Sequence, residues 1–540
     1  MSQPLLAATC ASTQKWARWE YLVVAILMLT GLGLRAYQLD TKGFWGDEAW
    51  TMMVSTGRGA TFTELPLNQL LYPAPNPTTL SPDVPFYAAW TNTSFDVHPP
   101  LYAVIVRLWR AAVGESDVAV RLLSVVTSTL AVGLIYAVGR RALSPMVGLW
   151  AATLMAFGPQ QVFYAQQARS YGLATALSLA AMLAVLKFLQ DGATWPRRAA
   201  IIVLSCAMVL THYFTAGLAA ALCGYAWWSR ADQRRRRDAA FCLIGGLLLA
   251  AVSWLPFAID QRIEAGGIGG WLDDSGPGRA GRLFGALVAA PVSLLGEAFL
   301  NPLAADVVFT GVTITLPLIF IRRHRGLLLP YLGLVLCLAQ PLVLDAMQST
   351  RTLREVRYVL LAMPSLCLVL ASFAQVLHGP LRHAVPALAL VFSLFGLFAG
   401  DAYRKRYGDW RELATPLAAA GNDGRVLAVA GHHGESATIH NDPRYMYLCV
   451  ERYLPPGRPV VLLNDRASDE TLKQLRQHGD IWLISAMEID LEQVLPGSRL
   501  VDPRPHAFEF PLGTTLVVTF DPPTTAPTVS ESSVGTKTAR

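Results

Sequence analysis

Apolar residues in this chain come in long unbroken runs, not in the alternating or three-and-four spacing of a soluble fold. The first covers residues 19–37, and others follow at 118–139, 147–165, 171–189, 199–211, 215–228, 239–259, 306–321, 327–347, 358–377 and 384–400. A hydrocarbon core about 30 Å thick takes about twenty apolar residues to cross. The runs therefore predict an all-α polytopic membrane domain of about eleven transmembrane helices. Two further stretches fit poorly as spans: 101–113, interrupted by Arg107 and Arg110, and 283–300, which begins and ends outside. Both predict interfacial helices on the outer leaflet. The runs at 199–211 and 215–228 are short and predict a helical pair turning at His212-Tyr213 below the membrane surface. Non-helical backbone at that depth survives only where it lines a cavity or is buried in protein.

After Gly400 the apolar runs shorten to strand length, as in RVLAVAG (425–431), PVVLLN (459–464), DIWLISA (480–486) and TTLVVTF (514–520). Helix-length segments such as 468–478 separate them, which predicts a small α/β domain over 401–521. The Thr-, Ser- and Pro-rich tail at 522–540 has the composition of a disordered segment. The expected organisation is completed by an N-terminal segment at 1–18 and a transmembrane domain at 19–400 with a large outer loop at 38–117.

Charge gives the runs a direction. Arg140-Arg141, Arg197-Arg198, Arg234 to Arg237, and Arg322-Arg323 with Arg325 each fall at the end of an apolar run. Alternating the eleven spans puts all of these clusters on the inner side, as the positive-inside rule requires. The N-terminus is then cytoplasmic and the α/β domain extracytoplasmic, and the expected location is a bacterial inner membrane. With 53% hydrophobic and 15% charged residues, and a mean hydropathy of +0.38, the formal charge of +6 belongs to topology. It predicts no nucleic-acid partner, because the clusters lack interleaved aromatics. Five of the seven cysteines lie inside apolar runs and none forms a CxxC pair, so neither a disulfide framework nor a zinc site follows. No small-residue cleavage site follows the first run, which therefore reads as a retained helix.

Four outer segments carry candidate chemistry. GFWGDEAW places Asp47 and Glu48 side by side between Trp45 and Trp50, and paired carboxylates near a membrane surface are costly without a ligand or catalytic duty. FDVHPPLY sets Asp96 and His98 before a Pro-Pro pair that fixes a helix entry, with Tyr102 beyond it. VFYAQQARSYG interrupts apolar helices with Gln166, Gln167 and Arg169, and an arginine there suits a phosphate or a loop carboxylate. STRTLREVRY carries Arg351, Arg354 and Arg357 outside, against the trend of the other arginines. If that segment is helical, Arg354 and Arg357 share one face and suit an anionic lipid head group.

In order along the chain stand the acidic pair, HPPLY with a following Trp, VAVRLLS, YAQQARSYG, THYF, a late RY and GDWRE. Together, over 19–412, they resemble the protein O-mannosyltransferase and aminoarabinose-transferase branch of the GT-C glycosyltransferases, including its lipopolysaccharide-core members. The resemblance implies a membrane enzyme that passes a sugar from a polyprenyl-phosphate donor to an acceptor on the outer side. It puts the catalytic base on Asp47, with Glu48 second, and substrate contacts on Asp96, His98, Tyr102, Arg169, Tyr171, His212, Tyr213, Arg354, Arg357 and Tyr358. A single displacement implies inversion. Many relatives carry an acidic residue where Gln166-Gln167 stand here, and an amide is a weaker ligand than a carboxylate. No metal or other cofactor is therefore expected. The acceptor is left open between lipid, glycan and protein. Two other readings stay beside this one: a transporter or flippase for a lipid-linked sugar, against which stands the lack of an internal repeat, and a non-catalytic binding protein that keeps the fold.

Overall fold

The computed structural model describes residues 16–264, 272–296, 303–399, 403, 409–432, 441–485, 490–501, 506–507 and 514–520. Most of the N-terminal segment, and the tail read as disordered, lie outside the described residues. The chain divides into two compact units, one of Met1–Thr61 with Pro77–Asp409 and one of Phe62–Asn76 with Trp410–Arg540. A piece of the outer loop thus groups with the C-terminal strands.

The first unit is helical. It runs through α1 (Arg18–Ala36), α2 (Gly46–Val54), the single turn α3 (Ala88–Thr91), α4 (Leu101–Val113), α5 (Asp117–Ala142), α6 (Pro145–Phe157), α7 (Pro159–Ala165) and α8 (Tyr171–Asp191). Then come α9 (Trp195–Thr211), α10 (Ala216–Trp228), α11 (Gln233–Glu264), α12 (Arg279–Ser293), α13 (Leu303–Ile321), α14 (Leu328–Gln348), α15 (Val356–Val359), α16 (Met363–Val376) and α17 (Ala384–Phe398). Every predicted run is helical, yet among the described residues seven helices are long and apolar enough to cross a membrane. The chain is therefore membrane-embedded through several apolar helices, and seven of the about eleven expected runs reach that length among the described residues.

The run at 147–165 is broken at Gly158, whose extended backbone starts α7 with Pro159. Proline can open a helix but cannot continue one. The short pair α9 and α10 turns at His212, as expected: its backbone is extended and its Nδ1 accepts the Phe214 N–H at 3.2 Å. The 101–113 helix forms as α4. Of the second stretch read as interfacial, α12 covers 279–293, and its last residues, 297–300, lie outside the described ones. The unit is held by close helix packing, with α5 against α1, α6 and α8. A Cβ on Gly148 would come 2.7 Å from the Tyr136 carbonyl of α5, so glycine permits the α5 and α6 backbones to meet. Small residues bring membrane helices together in this way.

The second unit contains α18 (Trp410–Ala420), α19 (Pro443–Val450), α20 (Asp469–Gln477) and α21 (Leu491–Val494). Its strands are β1 (Leu70–Leu71), β2 (Leu427–Gly431), β3 (Val460–Asn464), β4 (Ile481–Ser485), β5 (Ser498–Leu500), β6 (His506–Ala507) and β7 (Thr514–Phe520). The sheet order is β1-β3-β2-β4-β7-β5, with β6 also paired to β7. β2 lies between β3 and β4, parallel to both, and β7 closes antiparallel on β4. The parallel strands are nearly continuous apolar runs, as strands buried on both faces must be. The four strands read from the sequence are β2, β3, β4 and β7. The three missed are of two or three residues, too short to carry a period.

Candidate functional site

Helix α2 is the centre of the site. Asp47 and Glu48 occupy its first turn, where negative charge is favoured by the helix dipole. Ala49, Met52 and Met53 are fully buried and seat it against the unit. Its two carboxylates then meet opposite fates.

Glu48 is fully buried. Its Oε1 accepts from Arg121 Nε at 2.8 Å and from the Ala168 N–H at 2.7 Å, and its Oε2 accepts from Arg121 Nη2 at 2.6 Å and the Trp45 N–H at 3.3 Å. Arg121 also donates to the carbonyls of Leu39, Lys42 and Gly43 at 2.7 to 3.1 Å. Glu48 and Arg121 therefore pin the start of the loop to α5 and to the turn before α8. Both oxygens of Glu48, expected as the second choice of base, are committed to these donors.

Asp47 is on the other side of the turn, and its side chain keeps 26% of its exposure. Its Oδ2 is 3.0 Å from Arg357 Nη1 and 3.7 Å from Arg169 Nη2. Among the described residues no hydrogen bond reaches Oδ1, which is left to accept from a ligand. Arg357 arrives from α15, and the rings of Trp45 and Tyr358 lie 5.8 and 5.6 Å from its guanidinium.

Arg169, in the turn before α8, holds three elements at once. Its Nη1 donates to the Asp47 carbonyl and to Thr51 Oγ1, both at 3.0 Å, and its Nη2 lies 3.1 Å from His98 Nε2. A guanidinium only donates. His98 Nε2 therefore accepts, its proton is on Nδ1, and Nδ1 donates to Asp96 Oδ1 at 3.3 Å. Asp96 Oδ1 also accepts from Trp50 Nε1 at 3.0 Å. Burial pushes the Asp96 carboxyl up, but His98, Arg169 and the Trp50 indole outweigh it and hold the group below its ordinary range. Burial alone would likewise lower Arg169, and Asp47 above all outweighs that, keeping the guanidinium firmly charged.

The Asp96 to His98 corner is braced from α11, where Gln261 Nε2 donates to the Asp96 carbonyl and to the His98 carbonyl at 2.9 Å. Gln261 Oε1 in turn accepts from Tyr213 Oη at 2.6 Å. Tyr213 is thus a support for the corner. His212 is buried, its ring 5.8 Å from that of His98 and 5.5 Å from that of Tyr171. Tyr102 is buried on α4 with its hydroxyl 3.5 Å from Ser124 Oγ, and Ser124 donates to the Arg169 carbonyl at 3.1 Å. Tyr358 packs against Phe214, ring centres 5.2 Å apart.

One expected residue is not brought in. Arg354 is exposed, in a 3-10 turn at Thr352–Arg354, and Glu355 is extended before α15 begins. Arg354 and Arg357 therefore do not share a helical face. The cause is Asp345, buried at the end of α14, whose carboxylate accepts from the N–H groups of Thr352 and Leu353 at 2.7 and 2.8 Å and from the hydroxyls of Thr350 and Thr352. This carboxylate shapes the loop that delivers Arg357.

Sequence reading also passed over Arg107 and Arg110, except as interruptions of an apolar helix. Both are buried on α4. Arg107 donates to the carbonyls of Ser55, Thr56, Ser81 and Val84, and Arg110 to those of Met52 and Thr78 and to Glu115. They staple the outer loop to α4. Gln166 has a similar duty: its amide donates to the carbonyls of Arg35 and Tyr37 at 3.2 and 2.7 Å. A carboxylate could not make those two bonds. Among the described residues no group of three His, Cys, Asp or Glu side chains is placed to hold a metal ion.

Two solved structures share this architecture over nearly their whole length. ArnT from Cupriavidus metallidurans bound to undecaprenyl phosphate is 12% identical, covering 92% of this chain and 98% of its own, with a TM-score of 0.51. The same protein in its apo state is also 12% identical, covering 92% and 97%, with a TM-score of 0.52. A family model for dolichyl-phosphate-mannose-protein mannosyltransferases matches residues 97–258, from the His98 corner through most of α11. This is the GT-C glycosyltransferase fold. The resemblance carried by the ordered motifs is borne out. No curated protein matches the chain. In GT-C terms, the matched stretch holds His98, Tyr102, Arg169, Tyr171, His212 and Tyr213, whereas Asp47 and Arg357 come from outside it and join it through Arg169.

Proposed function

We propose that this chain transfers a sugar from a polyprenyl-phosphate carrier to a lipid, glycan or protein acceptor on the outer side of a bacterial inner membrane, with inversion. The observation that carries the reading is Asp47: a partly exposed carboxylate with one oxygen held by Arg357 and Arg169 and the other open, set on the first turn of α2. An acceptor hydroxyl is a poor nucleophile and needs a base within hydrogen-bond reach. Asp47 Oδ1 takes its proton as the hydroxyl oxygen bonds to the sugar C1 and the bond from C1 to the phosphate oxygen breaks. The phosphate leaves with the electron pair. Arg357, and Arg169 behind it, offset the charge that develops there. Glu48 positions this turn and takes no proton.

The N-terminus is cytoplasmic and the α/β unit extracytoplasmic in this reading. Its support is the arginine distribution together with the fold of the relatives, one of which is solved with undecaprenyl phosphate. The test is mass spectrometry of the envelope glycolipids and glycoproteins of a deletion strain carrying either the wild-type chain or Asp47→Asn. A product heavier by one sugar with the wild type, and absent with the variant, supports the reading and names the acceptor. The same product from both strains, or from neither, overturns it.

A further inference from the structure

Arg357 is paired with the Asp47 carboxylate and is also the cation that the proposed reaction sets against the leaving phosphate. Its Nη1 is 3.0 Å from Asp47 Oδ2, its Nη2 is 3.9 Å from Glu355 Oε2, and the rings of Trp45 and Tyr358 lie over it. Guanidinium donors lie in the plane of the group, so a phosphate that comes to Nη1 must approach along that plane and meets the donor Asp47 Oδ2 already holds. The two anions therefore contend for one set of N–H groups.

The charge balance of the reaction says how the contest resolves. A polyprenyl-phosphate sugar is a phosphodiester with one negative charge, and the carrier that leaves is a monoester with up to two. Asp47 begins as a carboxylate and ends, with the acceptor's proton on it, neutral. One unit of negative charge therefore passes from Asp47 to the phosphate as C1 changes oxygen partners. We propose that Arg357 is handed over with it: paired to Asp47 before transfer, paired to the leaving phosphate after. This rests on the proposed transfer reaction and deepens it. In the resting site the pair with Arg357 orients Asp47 so that Oδ1 faces the acceptor. In the product state the protonated carboxyl no longer holds Arg357, and the monoester receives it. Arg169 stays in place, because its Nη1 remains with the Asp47 carbonyl and Thr51, neither of which titrates, and it gives up only the longer 3.7 Å contact of its Nη2 with Asp47 Oδ2.

The consequence is unusual for a catalytic carboxylate. Neutralising Asp47 mimics the product state, so it strengthens binding of the released carrier while abolishing turnover. The experiment is binding of undecaprenyl phosphate to the detergent-solubilised full-length chain, for the wild type, Asp47→Asn, Arg357→Gln and the double variant. Asp47→Asn is expected to bind roughly three- to tenfold more tightly, the size of one partly exposed ion pair released. In the Arg357→Gln background the same change is expected to gain nothing, which the double-mutant comparison isolates. Asp47→Ser gives the same answer should the asparagine variant fail to fold. Unchanged or weaker binding by Asp47→Asn, or an equal gain with and without Arg357, overturns the handover. An inactive Asp47→Asn with unchanged affinity sinks the handover and leaves the base in place, whereas a variant that still transfers sugar sinks both.

Discussion

Glu48 and Arg121 meet in a two-point ion pair at 2.8 and 2.6 Å, with side chains only 1% and 4% exposed. Removing one partner of such a pair leaves a buried charge uncompensated, at a cost of about 3–5 kcal/mol. Arg121→Ala is therefore expected to lower the melting temperature of the purified chain more than Glu48→Gln, because it also strips donors from three carbonyls. Equal melting of Arg121→Ala and wild type would remove this pair from the structural account.

Arg169→Lys keeps the charge and loses the fork. A lysine ammonium cannot reach the Asp47 carbonyl, Thr51 and His98 in the fixed geometry of a guanidinium. Turnover is expected to fall about 10²-fold, as misplacement of about 1 Å does in other enzymes, with melting little changed. Kinetics of the lysine variant within threefold of wild type would show that charge alone suffices.

Asp345→Asn removes the charge that gathers the Thr352 and Leu353 N–H groups. Hydrogen bonds to a charged group contribute about 1.5–3 kcal/mol each, and their loss frees the segment that ends in Arg357. The expected outcome is a raised KM for the polyprenyl-phosphate donor with a smaller change in kcat. A change in kcat alone would place the effect elsewhere.

Asp96 predicts a direction in pH. Its carboxyl is held below the ordinary value of 3.8 in the folded chain, so its contribution to stability is fully present above that value and is lost as pH falls through the lower folded one. The Asp96 carboxylate's stabilisation, measured as the melting difference between wild type and Asp96→Asn, is expected to hold from pH 6 to 5 and to shrink below about pH 4. A difference that grows on acidification has the wrong sign.

The membrane unit was legible because lipid imposes a simple code: apolar length and the side on which arginines fall. What the code did not distinguish was length from continuity, so the Gly158-Pro159 break inside one run was missed. Asp47 stood out by its pairing with Glu48, yet no local feature told the two apart. Their difference is made by Arg121, seventy-three residues on in sequence, which fills one carboxylate and leaves the other open. Arg107 and Arg110 looked like flaws in an apolar helix, because a buried arginine satisfied by carbonyls and one facing lipid are spelled alike. Asp345 gave no signal at all, since a helix-end aspartate bonding to a following turn is recognised only once the turn is folded.

The central claim is that Asp47 is the base and Glu48 its support. Single-turnover transfer from a polyprenyl-phosphate sugar by purified protein tests it, comparing wild type, Asp47→Asn and Glu48→Gln at matched folded concentration. Loss of a positioned base costs about 10²–10⁴-fold, so the account predicts that drop for Asp47→Asn and a much smaller one for Glu48→Gln, whose main effect is on melting. Transfer that survives in Asp47→Asn and vanishes in a fully folded Glu48→Gln would contradict it.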